Sequence, residues 1–172
     1  YNDGGGSNSG HVRIYENNNG TWTQIGSDID GESSSDYFGW SVSLSGDGSV
    51  VAIGAQRDDD AAYDAGHVRI YENNNGTWTQ IGSDIDGEYN SDYSGYSESG
   101  SAVSLSGDGS VVAIGAYAND GNGGNSGHVR IYENNNGTWT QIGSDIDGEG
   151  SSDYFGWSVS CLLYTSDAAD EE

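Results

Sequence analysis

The residues best able to do chemistry in this chain are acidic and come in register. Asp28, Asp30 and Glu32 fall in one five-residue stretch, with Asp36 four residues on. The set recurs as Asp84, Asp86, Glu88 and Asp92, and again as Asp145, Asp147, Glu149 and Asp153. Carboxylate oxygens at this density are hard ligands of the kind calcium gathers, about six to eight at a time. Gly31 is misplaced for an EF-hand-type loop, which needs its glycine at the sixth position. Each set is therefore either a weak calcium site or a solvated acidic connector.

Other candidates are fewer. Asp58, Asp59, Asp60 and Asp64 form an acidic patch that occurs once, which fits a solvated loop or a site for a cation or basic partner. Arg13, Arg69 and Arg130 hold the same position in each copy and are three of only four basic residues. They are expected to pair with Asp or Glu across strands, or to lie on an aromatic ring. His11, His67 and His128 each stand alone before a strand, without the Cys or His neighbour that zinc requires. Asn19-Gly20-Thr21, Asn75-Gly76-Thr77 and Asn136-Gly137-Thr138 are glycosylation sequons, yet a tight hairpin demands Asn-Gly in any case. No Gly-x-Ser-x-Gly, phosphate-binding glycine loop or cysteine nucleophile is present.

With 28 acidic and 4 basic residues, the formal charge is −24. That balance argues against nucleic acid and anionic membranes as partners and for a well-solvated acidic surface. No apolar run is long enough for a membrane-spanning helix. The chain enters partway through a repeat, since residues 2–11 match 119–128. Residues 161–171 have no counterpart in the other copies and resemble a translated sequencing-library adapter, so 161–172 is set apart as a non-native tail. The single cysteine, Cys161, goes with that tail and does not identify a compartment.

What must position these residues is a repeat. From His11 to His67 is 56 residues and from His67 to His128 is 61, the extra five lying between Asp92 and Leu105. A period of this size means one supersecondary unit per copy, which must stack on its neighbours to bury its apolar face. Each unit carries four strand signals. Phe38, Trp40, Val42 and Leu44 alternate with Gly and Ser, and Gly46-Asp47-Gly48 makes a turn. Val50–Ala55 is a short apolar run of the kind covered on both faces. His67–Glu72 alternates again, Asn75-Gly76 turns, and Thr77–Ile85 forms the fourth strand. Trp78 and Ile81 are out of phase there, which predicts a bulge. Large residues on one face and Ser or Gly on the other suit radially stacked sheets.

The expected fold is all-β, an incomplete β-propeller of four-stranded antiparallel blades. Residues 11–32 form a half blade, 37–88 and 89–149 two full blades, and 150–160 the start of another, about eleven strands in all. An open arc of this kind exposes apolar end faces.

At Asp36-Tyr37-Phe38-Gly39-Trp40-Ser41-Val42-Ser43-Leu44 and Val51-Ala52-Ile53-Gly54-Ala55 the sequence resembles the FG-GAP repeat, the blade of integrin α-subunit propellers and microbial surface proteins. The match recurs at Gly115-Ala116 and Phe155-Gly156 and extends over essentially all of 1–160. Gln56 and Tyr117 stand where the family has its final Pro. The family's calcium loop between the first two strands has shrunk to Gly46-Asp47-Gly48-Ser49 and Gly107-Asp108-Gly109-Ser110, one carboxylate each. In the second full blade either Ser94 and Tyr96 replace Phe and Trp, or Ser99-Gly100 takes their place. The resemblance implies a non-enzymatic adhesion scaffold, extracellular or on the cell surface, with protein or carbohydrate ligands and further blades of the same parent chain as partners. A propeller hydrolase with a central-channel site, or a purely structural array, are the alternatives. Near-identical copies argue against the hydrolase, because a site needs blades to differ.

Overall fold

Alternating side chains and Asn-Gly turns fold this chain into antiparallel sheets. The computed structural model describes residues 5–58, 65–88 and 99–161. Asp59, Asp60, Asp64, Asp92, Ser94, Tyr96 and residues 162–172 lie outside the described residues. No described helix is long and apolar enough to cross a membrane.

The described strands are β1 (His11–Val12), β2 (Tyr15–Asn18), β3 (Thr21–Gln24), β4 (Ile29–Asp30), β5 (Ser41–Leu44), β6 (Val50–Ala55) and β7 (His67–Asn74). They continue as β8 (Thr77–Gln80), β9 (Ile85–Asp86), β10 (Ala102–Leu105), β11 (Val111–Ala116), β12 (His128–Asn135), β13 (Thr138–Gln141) and β14 (Ile146–Asp147). One sheet has the order β5-β6-β7-β8 with β9 also on β7; the next has β10-β11-β12-β13 with β14 on β12. Before them, β1 pairs with β4 and β2 with β3. The meander is as expected, and its stacked sheets make a partial propeller.

The expected count of eleven strands is corrected to fourteen described ones: the fourth strand of each unit is split, the third strand of the first unit is split into β1 and β2, and the strand expected in 150–160 is missing. Gln80 pairs with Tyr71 and Ile85 with Val68, so residues 81–84 face only 69–70. Gly82, at φ +74°, carries the excursion, while the Ile81 amide still donates to the Ile70 carbonyl at 2.8 Å. This is the bulge that the phase break predicts. The strand expected in 150–160 does not form among the described residues. Phe155 makes only an isolated parallel bridge to Gly127, because no described neighbour fills the position of β6 in that unit.

Phe38 bridges Gly10 in the same way, and its amide donates to Ser9 at 2.9 Å. In the second full unit the Ser99 amide donates to Ala65 at 3.0 Å, and Gly100 has φ +79° against +86° at Gly39. Ser99-Gly100 therefore takes the Phe-Gly place, and the inserted residues precede it. Each unit is thus finished by the opening residues of the next.

Two apolar layers lie between sheets. One joins Val12, Ile14 and Ile29 to Phe38, Val51 and Ile53. The other joins Ala52, Val68, Ile70 and Ile85 to Val103, Leu105, Val112 and Ile114. The small-residue face is confined to β5, where Ser41 Oγ donates to the Gly100 carbonyl at 2.7 Å and Ser43 Oγ accepts from the Leu105 amide at 2.9 Å. Strand β6 is buried on both faces.

Candidate functional site

Arg69 and Arg130 sit on the third strands β7 and β12 of their units, Arg13 between β1 and β2, and each has acidic residues around it. Arg69, on β7, donates Nε to Asp84 Oδ2 at 2.9 Å and Nη2 to the same oxygen at 2.7 Å. Nη2 also donates to Glu32 Oε2 at 2.6 Å, and Glu32 belongs to the connector leaving the preceding unit. Arg69 is thus a clasp between successive sheets. Arg13 binds Asp28 Oδ2 through Nε at 2.9 Å and Nη2 at 2.6 Å. Arg130 reaches back to the Asp86 carbonyl at 3.2 Å and lies 3.8 Å from Glu88. A tryptophan repeats the link. Trp78 Nε1 donates to the Ile25 carbonyl at 2.9 Å, and Trp139 Nε1 to that of Ile81 at 3.0 Å.

The carboxylates read as calcium candidates are dispersed among structural tasks. Asp36 is buried and accepts the Ser33 amide at 2.7 Å; Asp153 accepts the Gly150 amide at 2.7 Å in the same turn. Arg13 and Gln24 hold the Asp28 carboxyl down at about 2. Burial pushes Asp84 up, but hydrogen bonds from Arg69 and Gln80 outweigh it and the net shift is downward. Asp30, Asp86 and Asp147 lie on exposed strand positions, as does Glu149 on its connector. Asp28 and Asp30 line a cleft of about 270 Å³ closed by Gly76, Thr77 and Trp78 of the next unit.

Two groups bring ligand-type atoms within 4.8 Å of one another: His67 with Asp84 and Asp86, and His128 with Glu88 and Asp145. The histidines join the acidic sets here, which their isolation in sequence does not suggest. In the first group Asp84 has both oxygens engaged, Oδ2 by Arg69 and Oδ1 by Gln80 at 2.6 Å. A guanidinium already supplies the positive charge there. In the second, Asp145 Oδ1 accepts from Gln141 at 2.7 Å, and Arg130 faces Glu88. Burial, reinforced by Asp145 and Asp147 against Arg130, pushes the Glu88 carboxyl up. Of the acidic patch 58–64, Asp58 is buried with its Oδ1 3.1 Å from His67 Nδ1. This corrects the reading of Asp58 as a solvated loop residue: its place at the end of the β6 turn puts it under the sheet edge.

Burial, and next Arg130, push the His128 imidazole down from 6.5 to about 4, with Asp145 and Asp147 opposing. The unfolded chain binds this proton before the folded one does. Stability is therefore full above the ordinary value of 6.5 and is lost as pH falls towards about 4. Thermal melting across that window is expected to show the loss, and His128→Asn is expected to flatten it.

One rim gathers the parts in which the units differ. The loops after β6 and β11 meet the connector to the next unit there: Ser152 and Tyr154 amides donate to Gly124 and Asn125 carbonyls at 2.8 and 3.0 Å. Aromatic rings collect at this junction, with Tyr154 and Trp157 exposed and Tyr117 half-buried. Tyr117 and Trp157 centroids are 4.5 Å apart, with Tyr154 6.3 Å from Tyr117. At the corresponding connector Tyr37 meets Trp40 edge-on at 6.3 Å, and Arg57 lies 5.4 Å from the Tyr37 ring centre. Sequence alternation places Phe38 and Trp40 on one face, but Phe38 is buried and Trp40 is 51% exposed. The left-handed backbone at Tyr37 and Gly39 breaks the alternation before β5 begins.

A comparison with curated proteins finds no match. Among solved structures the chain is similar to a Bacteroides fragilis protein described provisionally as a 6-phosphogluconolactonase, with a TM-score of 0.53 and 18% identity. The alignment covers 83% of this chain and 34% of that one, so this chain spans about a third of the length of its structural relative. At that identity the likeness speaks to the fold alone. Residues 28–71 match the FG-GAP repeat. That stretch contains the Phe38-Gly39 turn that finishes one sheet and the Gly54-Ala55 end of β6, so residues 28–71 carry an FG-GAP repeat.

Proposed function

We propose that this chain is a non-enzymatic binding scaffold, extracellular or on the cell surface, whose rim grips a protein or carbohydrate ligand in adhesion. The observation that supports this is a rim on which a repeated aromatic pair meets loops that differ from unit to unit. Identical positions, among them Arg69 and Trp78, tie sheets together. The loops after β6 and β11, which differ, bring Arg57 and Tyr117 to one rim, where Tyr117 meets the repeated pair Tyr154 and Trp157 and Arg57 lies over Tyr37 of the matching pair Tyr37 and Trp40. Variable loops on a rigid frame are the usual place for recognition. Trp157 is 65% exposed, and an exposed indole offers the flat apolar face on which sugar rings stack.

The test is a panel of immobilised oligosaccharides and extracellular proteins probed with the chain and with its Tyr117→Ala and Trp157→Ala variants. Binding to a panel member that both variants reduce at least tenfold is expected, an effect of roughly 1.4 kcal/mol. Binding unchanged in both would place recognition elsewhere.

A further inference from the structure

The sheet of β10–β14 breaks the ion-pair pattern of the two before it. There Arg13 and Arg69 close on Asp28 Oδ2 and Asp84 Oδ2 with two nitrogens each. Their counterpart Arg130 instead reaches the Asp86 carbonyl and lies 5.9 Å from the Tyr132 ring centre, and its buried Nε has no hydrogen-bond partner. Asp145 is thus left without a guanidinium. Gln141 takes its Oδ1, while Oδ2 stands 4.0 Å from His128 Nδ1, beyond hydrogen-bond reach.

Three ligand-type atoms are brought together by this rearrangement. One ring nitrogen of His128 and one carboxylate oxygen each from Glu88 and Asp145 lie within 4.8 Å of one another. The His128 side chain is only 2% exposed, yet among the described residues no hydrogen bond reaches its ring. Buried polar groups ordinarily have a partner, so an imidazole held this way points to one the chain does not supply. Arg130 is 3.8 Å from Glu88, and its single charge is set against Glu88, Asp145 and Asp147 together. The place therefore stays net negative, with two like charges facing each other. It lies inside the array, between the connector that carries Glu88 and the strands that carry His128 and Asp145.

We propose that His128, Glu88 and Asp145 bind one divalent transition-metal ion, zinc for preference, which ties one sheet to the next. One imidazole nitrogen and two carboxylate oxygens, with a fourth position left to water, make a tetrahedral set that suits zinc. Calcium and magnesium take oxygen and would leave the imidazole unused. Zinc held at about 2.0–2.2 Å by each ligand brings the ligand atoms to roughly 3.3 Å from one another. Glu88 is the arm that closes the gap: its side chain is 47% exposed and moves without disturbing the apolar layer. The group of His67, Asp84 and Asp86 does not qualify, because Arg69 and Gln80 already occupy both Asp84 oxygens. The metal does at the later boundary what Arg69 does at the earlier one, where it takes Glu32.

Calorimetric titration of zinc chloride into the whole chain at pH 7 tests this, on a Cys161→Ser background that removes the single thiol. One equivalent of zinc is expected to bind at least about tenfold more tightly than calcium does. Glu88→Gln and His128→Asn are each expected to weaken zinc by about tenfold or more, and His67→Asn to change it by less than about twofold. Zinc is also expected to raise the melting temperature of the parent and not that of Glu88→Gln. Circular dichroism confirms that each variant is folded, and Glu88→Gln, on an exposed side chain, decides the matter if His128→Asn is not. Zinc that fails to bind, or binds no better than calcium, overturns the proposal. Zinc binding that Glu88→Gln leaves unchanged overturns it too. So does a loss in His67→Asn as large as that in His128→Asn, which would move the metal to the earlier boundary.

Discussion

Replacing Gly54 with alanine is expected to lower stability by at least about 3 kcal/mol, roughly 6–12 °C in melting temperature for a chain of this length. A methyl group there would sit inside the Gly100 carbonyl oxygen, 3.0 Å from its carbon and 2.5 Å from Ser41 Oγ. Two of those contacts are backbone of the adjacent sheet, which cannot turn aside as a side chain could. The only relief is to part the sheets, and with them the layer that buries Ile70, Val112 and Ile114. Gly124→Ala is the control, since its methyl group meets nothing within 4 Å and its backbone is not left-handed. It is expected to stay within about 0.5 kcal/mol of the parent. Thermal and urea unfolding of both variants measure the difference. Equal effects would mean that the sheets are not in contact at Gly54.

Arg69→Met is expected to cost about 2–3 kcal/mol, below the usual range for breaking a buried pair because Glu32 is 59% exposed and rehydrates. Asp84, at 25%, is left with Gln80 alone. Lysine does not rescue the loss, because one ammonium cannot present the planar fork that spans Asp84 and Glu32. Arg13→Met removes the same side chain from an exposed pair and is expected to cost under about 1 kcal/mol. The acid side of the stability profile distinguishes the two roles. With Arg69 present, the Asp84 carboxyl is held below its ordinary value. Its contribution is full above that value and is lost as pH falls through the lowered one. In Arg69→Met that acid-side loss is expected to disappear, as urea unfolding at two pH values would show.

The sheets were readable because their signals are local. Asn75 and Gly76 take positive φ of 53° and 87° because a two-residue hairpin leaves no other choice, and the dipeptide announces it. The phase break at Trp78 and Ile81 likewise announces the bulge. The site was less legible because its meaning depends on residues far apart in sequence. Asp28, Asp30 and Glu32 look like a ligand set when read together, yet the fold sends Asp28 to Arg13 and Glu32 to Arg69, 37 residues away. Ligand sets and ion-pair sets use the same carboxylates, and only the position of the arginines tells them apart. Alternation puts Trp40 on the face of Phe38 for a related reason: a period-two pattern continues through a left-handed residue on paper but not in space. The Phe-Gly place in the inserted unit is ambiguous in sequence because Ser99 lacks the ring, and the hydrogen bond from its amide to Ala65 with the left-handed Gly100 identifies it.

The bridges Gly10 to Phe38 and Gly127 to Phe155 join the end of one copy to the start of the next, so the covalent repeat and the structural petal are offset. Excising 11–66 would bring Gly10 directly before His67, restoring the same Gly-His junction with one petal fewer. No join in the array records how many petals lie on either side of it. Removing one copy in register would therefore leave every remaining junction with its original chemistry.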